Sequence, residues 1–233
     1  MTSDLFITVI LPVHNQANHI GSIVEEHTKM FESITISYEI ILVVNGCRDN
    51  SLEICRSLAE KYSSICVKHS KKKGWGMAVR IGLSEAKGNL LCYTNSARTS
   101  SQDLMLLLLY AIANPNAVIK ANRRIRENYL RRMGSLLYNL ECRMLFDLSY
   151  WDINGTPKVF PRKFGKLVAL TCDDDLIDLE FNVICRREGY PVLEVPILSS
   201  RRLGEKSTTN FRSALKMYWG AYQLRRTMLR DSI

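Results

Sequence analysis

Polar and glycine residues follow two short apolar runs near the start of the chain. Residues 5–11 and 39–44 are mostly apolar, and groups that could bind a ligand come directly after each run. An asparagine side chain both donates and accepts hydrogen bonds, and glycine lets the backbone turn tightly. These groups could therefore hold a nucleobase, although an ordinary polar turn has the same composition. The candidates are Pro12, His14, Asn15, Asn45 and Gly46.

A basic segment with two glycines lies further along. Three lysines at 71–73 precede Gly74-Trp75-Gly76, and Arg80 lies one turn into the helix that we predict there. Two glycines before a helix N-terminus let the backbone approach a phosphate, and neighbouring cations strengthen the attraction. Gly-x-Gly is common, so the motif is weak evidence by itself. We expect Gly74 with Lys73 or Arg80 to bind phosphate, and the remaining lysines to be solvated.

Predicted strands and helices alternate strictly along the first part of the chain. Strand-like apolar runs lie at 5–11, 39–44, 66–69 and 90–94, and helical spacing marks 20–31, 51–62 and 75–86. This order predicts an α/β fold with a doubly wound, mostly parallel sheet and helices on both faces. Because ligands bind at the carboxyl ends of such strands, the loops beginning at Pro12, Asn45, Lys71 and Asn95 should share one rim. No linker interrupts residues 1–208, which we expect to form one domain.

The charge of the chain points to an anionic partner. Its 32 Lys and Arg exceed its 23 Asp and Glu and leave a net charge of +9. Nucleic acid is not the expected partner, since the basic stretches carry no helix-turn-helix, zinc-finger or RNA-platform signature. The seven cysteines form no CxxC pair and fit neither a disulfide framework nor a zinc site, so we expect reduced thiols.

Two basic amphipathic helices are predicted in the second half of the chain. One covers 127–146, and the other begins at Phe211 within a C-terminal appendage of residues 209–233. Aromatic residues beside Arg and Lys suit a helix in a membrane interface, although a helix docked on the domain with a solvated basic side fits equally. No window offers the roughly 20 apolar residues of a membrane span. We expect a cytoplasmic protein that contacts the inner face of the membrane peripherally.

The order of seven segments resembles a known family. They are LPVHNQANHI, EIILVVNGCRDNS, KGWGMAVRIGLSEAKGN, YTNSARTSSQDL, DINGTPKVFPR, DLIDLEFNVICRREGYPVLEVPI and RRLGEKS. Over residues 7–207 the chain resembles the inverting family 2 glycosyltransferases, in particular the dolichyl- and polyprenyl-phosphate mannosyl- and glucosyltransferases. The resemblance implies a GT-A-like fold, a nucleotide-sugar donor, and a polyprenyl phosphate or similar lipid acceptor at the cytosolic face.

The resemblance also assigns the donor site and shows where this chain departs from the pattern. It implies that the stretch from Pro12 to Asn15 holds the nucleotide and that the Gly74 segment holds the diphosphate. Gln16 and Asn45 stand where the family usually has acidic residues, so the base preference could differ from the usual one.

The largest departure concerns the metal. The family's Asp-x-Asp pair, which holds Mg²⁺ or Mn²⁺, is replaced by Asn95-Ser96-Ala97. Hard divalent cations favour anionic oxygen ligands, so we expect no metal site here, and Asn95 remains a donor-binding candidate. Our hypothesis is that Arg98, with Lys73 or Arg80, neutralises the leaving diphosphate. Arg98 could instead be a surface charge.

For the acceptor, the resemblance implies a cluster of phosphate-binding residues and one carboxylate. Motif position makes Asp178 the candidate general base, while Asp173 or Asp174 could cap the helix that follows. Two other interpretations stay open: a soluble or glycan acceptor, and a catalytically inactive relative that only binds. The oligomeric state is not predicted. The phosphate-binding candidates are Arg123, Arg124, Arg131, Arg201, Lys206 and Ser207.

Overall fold

The computed structural model describes residues 5–34, 36–123, 129–198 and 211–230, and for 129–132, 211–216 and 228–230 it describes the backbone alone. The strands are β1 (Phe6–Val13), β2 (Ser37–Asn45), β3 (Ile65–Ser70), β4 (Leu90–Tyr93), β5 (Val118–Arg123), β6 (Lys158–Pro161) and β7 (Val192–Ile197). The helices are α1 (Ile20–Ile34), α2 (Ser51–Lys61), α3 (Trp75–Glu85), α4 (Ser101–Ala113), α5 (Tyr129–Phe146), α6 (Gly165–Val168), α7 (Ile177–Arg187) and α8 (Phe211–Arg230).

The strands form one sheet in the order β3-β2-β1-β4-β6-β5-β7. All neighbours are parallel except β6, which runs antiparallel to both β4 and β5. The predicted α/β fold with a mostly parallel, doubly wound sheet is confirmed. The order reverses at β1 and β4, so the carboxyl ends of these two strands open the crevice in which such folds bind ligands.

Alternate residues of the central strands fill two separate cores. In β1, Val9 packs with the cluster that includes residues of α1 and α4, whereas Ile10 packs with residues of α3 and α7 on the other face. All but the first residue of β1 are buried, because β1 lies between β2 and β4 and is covered on both faces. Each fully buried aliphatic side chain contributes roughly 1.5–3 kcal/mol to folding. The carboxyl end of β1 is thereby held firmly at the rim.

Helix α5 packs on the domain with only one of its sides. Its buried side carries Tyr138, Cys142 and Phe146, which join a third cluster with residues of α7 and α8. Other apolar side chains of the helix, among them Leu137 and Met144, are exposed. The helix is therefore apolar on two sides. None of the described helices combines the length and apolar character that crossing a membrane requires.

Candidate functional site

The loops after β1 and β2 are tied together at the rim. Asn15, with a φ of +50°, donates its backbone N–H to Cys47 Sγ at 3.2 Å. Its side-chain Oδ1 accepts from the backbone N–H of Arg48 at 2.9 Å. His14 Nδ1 lies 2.7 Å from the backbone oxygen of Asn45 and must donate to it. The structure thus brings the first two predicted loops into contact, and the Asn15 side chain serves that contact.

Asn45 holds one hydrogen-bond acceptor, its Oδ1, in a fixed orientation. The residue is 3% exposed, and its Nδ2 donates to the backbone oxygen of Gly74 at 2.8 Å. Turning the amide over would set two acceptor oxygens against each other, so the hydrogen bond fixes its orientation. Its Oδ1 is buried without a hydrogen-bond partner. An unsatisfied buried acceptor is costly, and a donor N–H from a ligand would relieve that cost.

Gly46 allows the Lys73 backbone to lie directly on this turn. The φ of Gly46 is +58°, and a Cβ there would come within 2.8 Å of Lys73 Cβ and 3.0 Å of Lys73 N. Both the left-handed conformation and the close approach require glycine. Lys73 is exposed, so its side chain extends from the rim beside Asn45.

Gly74 precedes α3 and Gly76 is its second residue, and both pack against the loop before α7. A Cβ on Gly76 would lie 2.4 Å from the Cys172 oxygen, and one on Gly74 would lie 2.7 Å from the Asp173 oxygen. The N–H of Met77 donates to that same Asp173 oxygen at 2.9 Å. Both glycines therefore serve close packing on this loop, and phosphate binding at Gly74 stays a prediction. Arg80, the other predicted phosphate ligand, pairs with the Asp173 carboxylate.

Glu180 holds this loop in place, and the sequence analysis did not select it. The carboxylate is 3% exposed and accepts from Thr171 N at 2.8 Å, Thr171 Oγ1 at 2.6 Å and Cys172 N at 2.8 Å. Three hydrogen bonds satisfy a carboxylate that burial would otherwise penalise. The only sequence signal is an acidic residue in the first turn of a helix whose neighbours are apolar.

The turn after β4 does not fit a divalent cation. Asn95 Oδ1 accepts from the Ala97 N–H at 3.1 Å, and Ala97 has no polar side chain. The Ser96 hydroxyl is buried within hydrogen-bond distance of Gln16 Oε1 (2.7 Å) and Pro12 O (3.1 Å). Mg²⁺ and Mn²⁺ need several oxygen ligands, preferably carboxylates, and this segment supplies no carboxylate. Across the described residues, no group of three or more His, Cys, Asp and Glu side chains could hold a metal ion.

Two basic residues at the ends of central strands remain candidates. Arg98 is half-buried in the turn after β4, where its N–H donates to the Asn95 oxygen at 3.0 Å. Arg123 is bound bidentately by Asp152, with Nε–Oδ2 at 2.7 Å and Nη2–Oδ1 at 2.8 Å. Although burial works against its charge, Asp152 raises the pKa of Arg123. The side chains of the other predicted acceptor residues lie outside the described part of the chain: Arg124, Arg131, Arg201, Lys206 and Ser207.

Asp178 is anchored by three donors. The carboxylate is 5% exposed and accepts from Tyr93 Oη at 3.0 Å, from Trp75 Nε1 at 3.1 Å and from Lys158 Nζ. Burial raises the pKa of Tyr93, so its hydroxyl remains a donor. Burial, opposed by Asp178, lowers the pKa of Lys158 to about 8. Both carboxylate oxygens already have partners, and the general-base role stays a prediction.

Lys158, the partner of Asp178, belongs to a row of polar residues that crosses four neighbouring strands. In the register of the sheet, Tyr93 lies beside Lys158, Lys158 beside Lys120, and Lys120 beside Glu194. Lys120 is fully buried, and its Nζ donates to Glu194 Oε1 at 3.1 Å. Burial lowers the pKa of Lys120, while Glu194 opposes that change. A lone lysine inside an apolar strand is the signal that could have identified this row.

Comparison with known proteins identifies the family. The profile of glycosyl transferase family 2 matches residues 8–168, well over half of the chain. The chain belongs to glycosyl transferase family 2. It is 24% identical over 203 residues to undecaprenyl-phosphate 4-deoxy-4-formamido-L-arabinose transferase of Serratia proteamaculans, covering 84% of this chain and 60% of that protein. To the protein of the same name in Edwardsiella ictaluri it is 26% identical over 137 residues, covering 58% of this chain and 42% of that protein.

A solved structure shares the architecture of this family member. Glucosyl-3-phosphoglycerate synthase of Mycobacterium tuberculosis, in complex with Mn²⁺, UDP and glucosyl-3-phosphoglycerate, superimposes with a TM-score of 0.73. The two are 14% identical, and the match covers 95% of this chain and 80% of the other. The predicted GT-A-like fold and the resemblance to the polyprenyl-phosphate branch are confirmed. The chain spans 60% or less of the length of the curated relatives named above.

Proposed function

We propose that this protein transfers a sugar from a nucleotide-sugar donor to a polyprenyl phosphate. Membership of the family supports a glycosyltransferase, and the relatives' names specify an undecaprenyl-phosphate acceptor. The observation that carries the donor part is the buried, unpartnered Oδ1 of Asn45 at the rim where β1, β2 and α3 meet.

The fixed orientation of Asn45 selects among nucleobases. Uracil, thymine and guanine each present a ring N–H that Oδ1 can accept, whereas the corresponding cytosine nitrogen is itself an acceptor. The amide oxygen can therefore accept the same hydrogen bond as the family's usual aspartate, and the base preference need not change. Because Oδ1 is enclosed, the base can reach it only if side chains at the rim move aside.

The donor diphosphate would be neutralised by side chains. Lys73 extends from the rim beside Asn45, and Arg98 lies at the end of β4, where the family usually places its metal ligands. Guanidinium and ammonium groups stabilise negative charge that develops on a leaving phosphate. Arg80 is less suited to this task, because Asp173 already pairs with it.

The transfer itself needs little acid–base help. An oxygen of the ionised lipid phosphate forms a bond to the anomeric carbon while the bond from that carbon to the diphosphate oxygen breaks. The electron pair leaves with the nucleoside diphosphate, and attack from the opposite face inverts the anomeric centre. Asp178 then acts by holding Trp75 and Lys158 in place, unless the acceptor is a hydroxyl that must lose a proton.

A transfer screen tests the proposal. The purified protein is incubated with undecaprenyl phosphate and, in turn, UDP-, GDP-, dTDP- and CMP-sugars, and the lipid product is detected by mass spectrometry. We expect a glycosylated lipid from a donor whose base has a ring N–H. Transfer only to a soluble glycan would refute the lipid acceptor. Binding of a nucleoside diphosphate without any product would favour an inactive relative, the alternative that Asn95-Ser96-Ala97 suggests.

A further inference from the structure

The outward side of α5 is apolar along most of its length. Met133, Leu136, Leu137, Leu140 and Met144 are between 41% and 78% exposed. Their spacing of three, four, seven and eleven residues from the first places them in one stripe on the helix. The stripe contains no charged residue and lies opposite the buried side of the same helix. A contiguous exposed apolar surface of this kind usually marks a contact with another molecule or a membrane.

Helix α8 packs against α5. Tyr218 Oη donates to the Gly134 oxygen at 2.9 Å, and the Arg225 guanidinium lies 5.8 Å from the centre of the Phe146 ring. These contacts show that α5 and α8 lie side by side and run in the same direction. Both helices contribute residues to the third core cluster. On its exposed side α8 carries Trp219 (63%) and Tyr222 (45%).

Basic residues lie beside the apolar surface and outnumber the two acidic residues there, Glu141 of α5 and Asp147 directly after it. Arg225 and Arg226 are exposed on α8, and no acidic residue occurs in the sequence of that helix. Near the end of α5, the Arg143 guanidinium lies 3.9 Å from the centre of the ring of Trp151, which is 58% exposed. Tryptophan and tyrosine prefer the membrane–water interface, and arginine is attracted to anionic headgroups. An apolar centre with a basic border matches an anionic bilayer better than a protein partner.

We propose that the α5–α8 face, formed by the α5 stripe with Trp219, Tyr222 and Trp151, docks the protein onto an anionic lipid bilayer. The apolar side chains would enter the headgroup region, and the arginines would contact lipid phosphates. This deepens the proposed function, because the lipid acceptor resides in such a bilayer. Docking itself is measurable without donor or acceptor.

Vesicle flotation tests the docking. Wild type is mixed with phosphatidylcholine vesicles with or without phosphatidylglycerol, and the bound fraction is compared with that of Leu140→Asp/Met144→Asp. A matched control is Leu109→Asp/Tyr110→Asp, because these α4 residues are 52% and 45% exposed on the opposite face of the sheet. Circular dichroism confirms that each variant is folded.

We expect wild type and the α4 control to float with anionic vesicles and less with neutral ones. The α5 variant should lose about tenfold or more in partitioning, since two apolar side chains no longer enter the lipid. Equal flotation of both variants, no flotation of wild type, or self-association that only the α5 variant abolishes would overturn the proposal.

Transfer to a short, water-soluble polyprenyl phosphate separates this proposal from the proposed function. If docking is correct, the α5 variant keeps that activity while it loses vesicle binding. If wild type floats but transfers to neither acceptor, the docking stands and the transferase proposal fails.

Discussion

Replacing Asp178 by asparagine should lower the free energy of unfolding, because the buried lysine beside it loses its charged partner. Lys158 is 0% exposed, and Asp178 is the carboxylate that opposes the lowering of its pKa. The pKa of Lys158 falls from about 10.4 in the unfolded chain to about 8 in the folded protein. At pH values below about 8, this difference lowers the free energy of unfolding by roughly 3 kcal/mol. Without Asp178 the pKa of Lys158 should fall further, which favours the neutral lysine in the folded variant at pH 7.

The magnitude follows from the two protonation states. At pH 7, keeping Lys158 neutral in the folded variant costs roughly 5 kcal/mol relative to the unfolded chain, about 1–2 kcal/mol more than in wild type. Lost charged hydrogen bonds bring the expected destabilisation to roughly 3 kcal/mol. Between the folded and unfolded pKa values the unfolded chain binds more protons, so stability rises with pH. Above about pH 8 wild-type Lys158 is neutral too, and the proton-linked part of the difference disappears.

Urea unfolding followed by circular dichroism at pH 7 and pH 9 measures this difference. The double variant Asp178→Asn/Lys158→Met should recover part of the loss, because no buried lysine remains. Asp147→Asn is a matched control: its partner Arg186 is 54% exposed and Asp147 is 86% exposed, so no measurable change is expected. An Asp178→Asn protein as stable as wild type, or a deficit that does not shrink as the pH rises, would show that Asp178 does not offset the burial of Lys158.

Two further predictions concern the rim. Gly76→Ala should cost roughly 1–3 kcal/mol, measured as a lower Tm, because its Cβ would meet the Cys172 oxygen at 2.4 Å. Gly21→Ala, with nothing within 4 Å, should be neutral or stabilising, and equal Tm changes for both would contradict the packing argument. Asn45→Ala should weaken UDP binding roughly tenfold in calorimetry through loss of one hydrogen-bond acceptor. CDP binding should change less; equal losses for both nucleotides would mean that Oδ1 does not read the base.

The sequence predicted the first half of the fold well. Strict alternation of apolar runs and helical spacing located the elements from β1 to β4 to within three residues. It also predicted that the loops at Pro12 and Asn45 would meet, because parallel strands place their carboxyl ends at one edge.

The second half was less accessible, for physical reasons. Strands β5 and β6 each carry a buried lysine: Lys120 interrupts the apolar pattern of β5, and Lys158 leaves β6 only three further residues, too few to be recognised as a buried strand. Charges that pair across strands compensate one another only in three dimensions, so the lone lysine in the β5 sequence does not reveal that Glu194 is its partner. The packing of Gly74 and Gly76 could not be predicted for a similar reason: their close neighbour, the loop at Cys172, lies far along the chain.

The proposed function requires this rim to bind and activate a nucleotide sugar with cationic side chains where the family normally uses a metal. The initial rate of sugar transfer to the lipid acceptor, measured in excess EDTA and again after adding Mn²⁺, tests this requirement. We expect equal rates within error, and a marked loss of rate on Arg98→Ala. Activity that disappears with the chelator and returns with Mn²⁺ would contradict it.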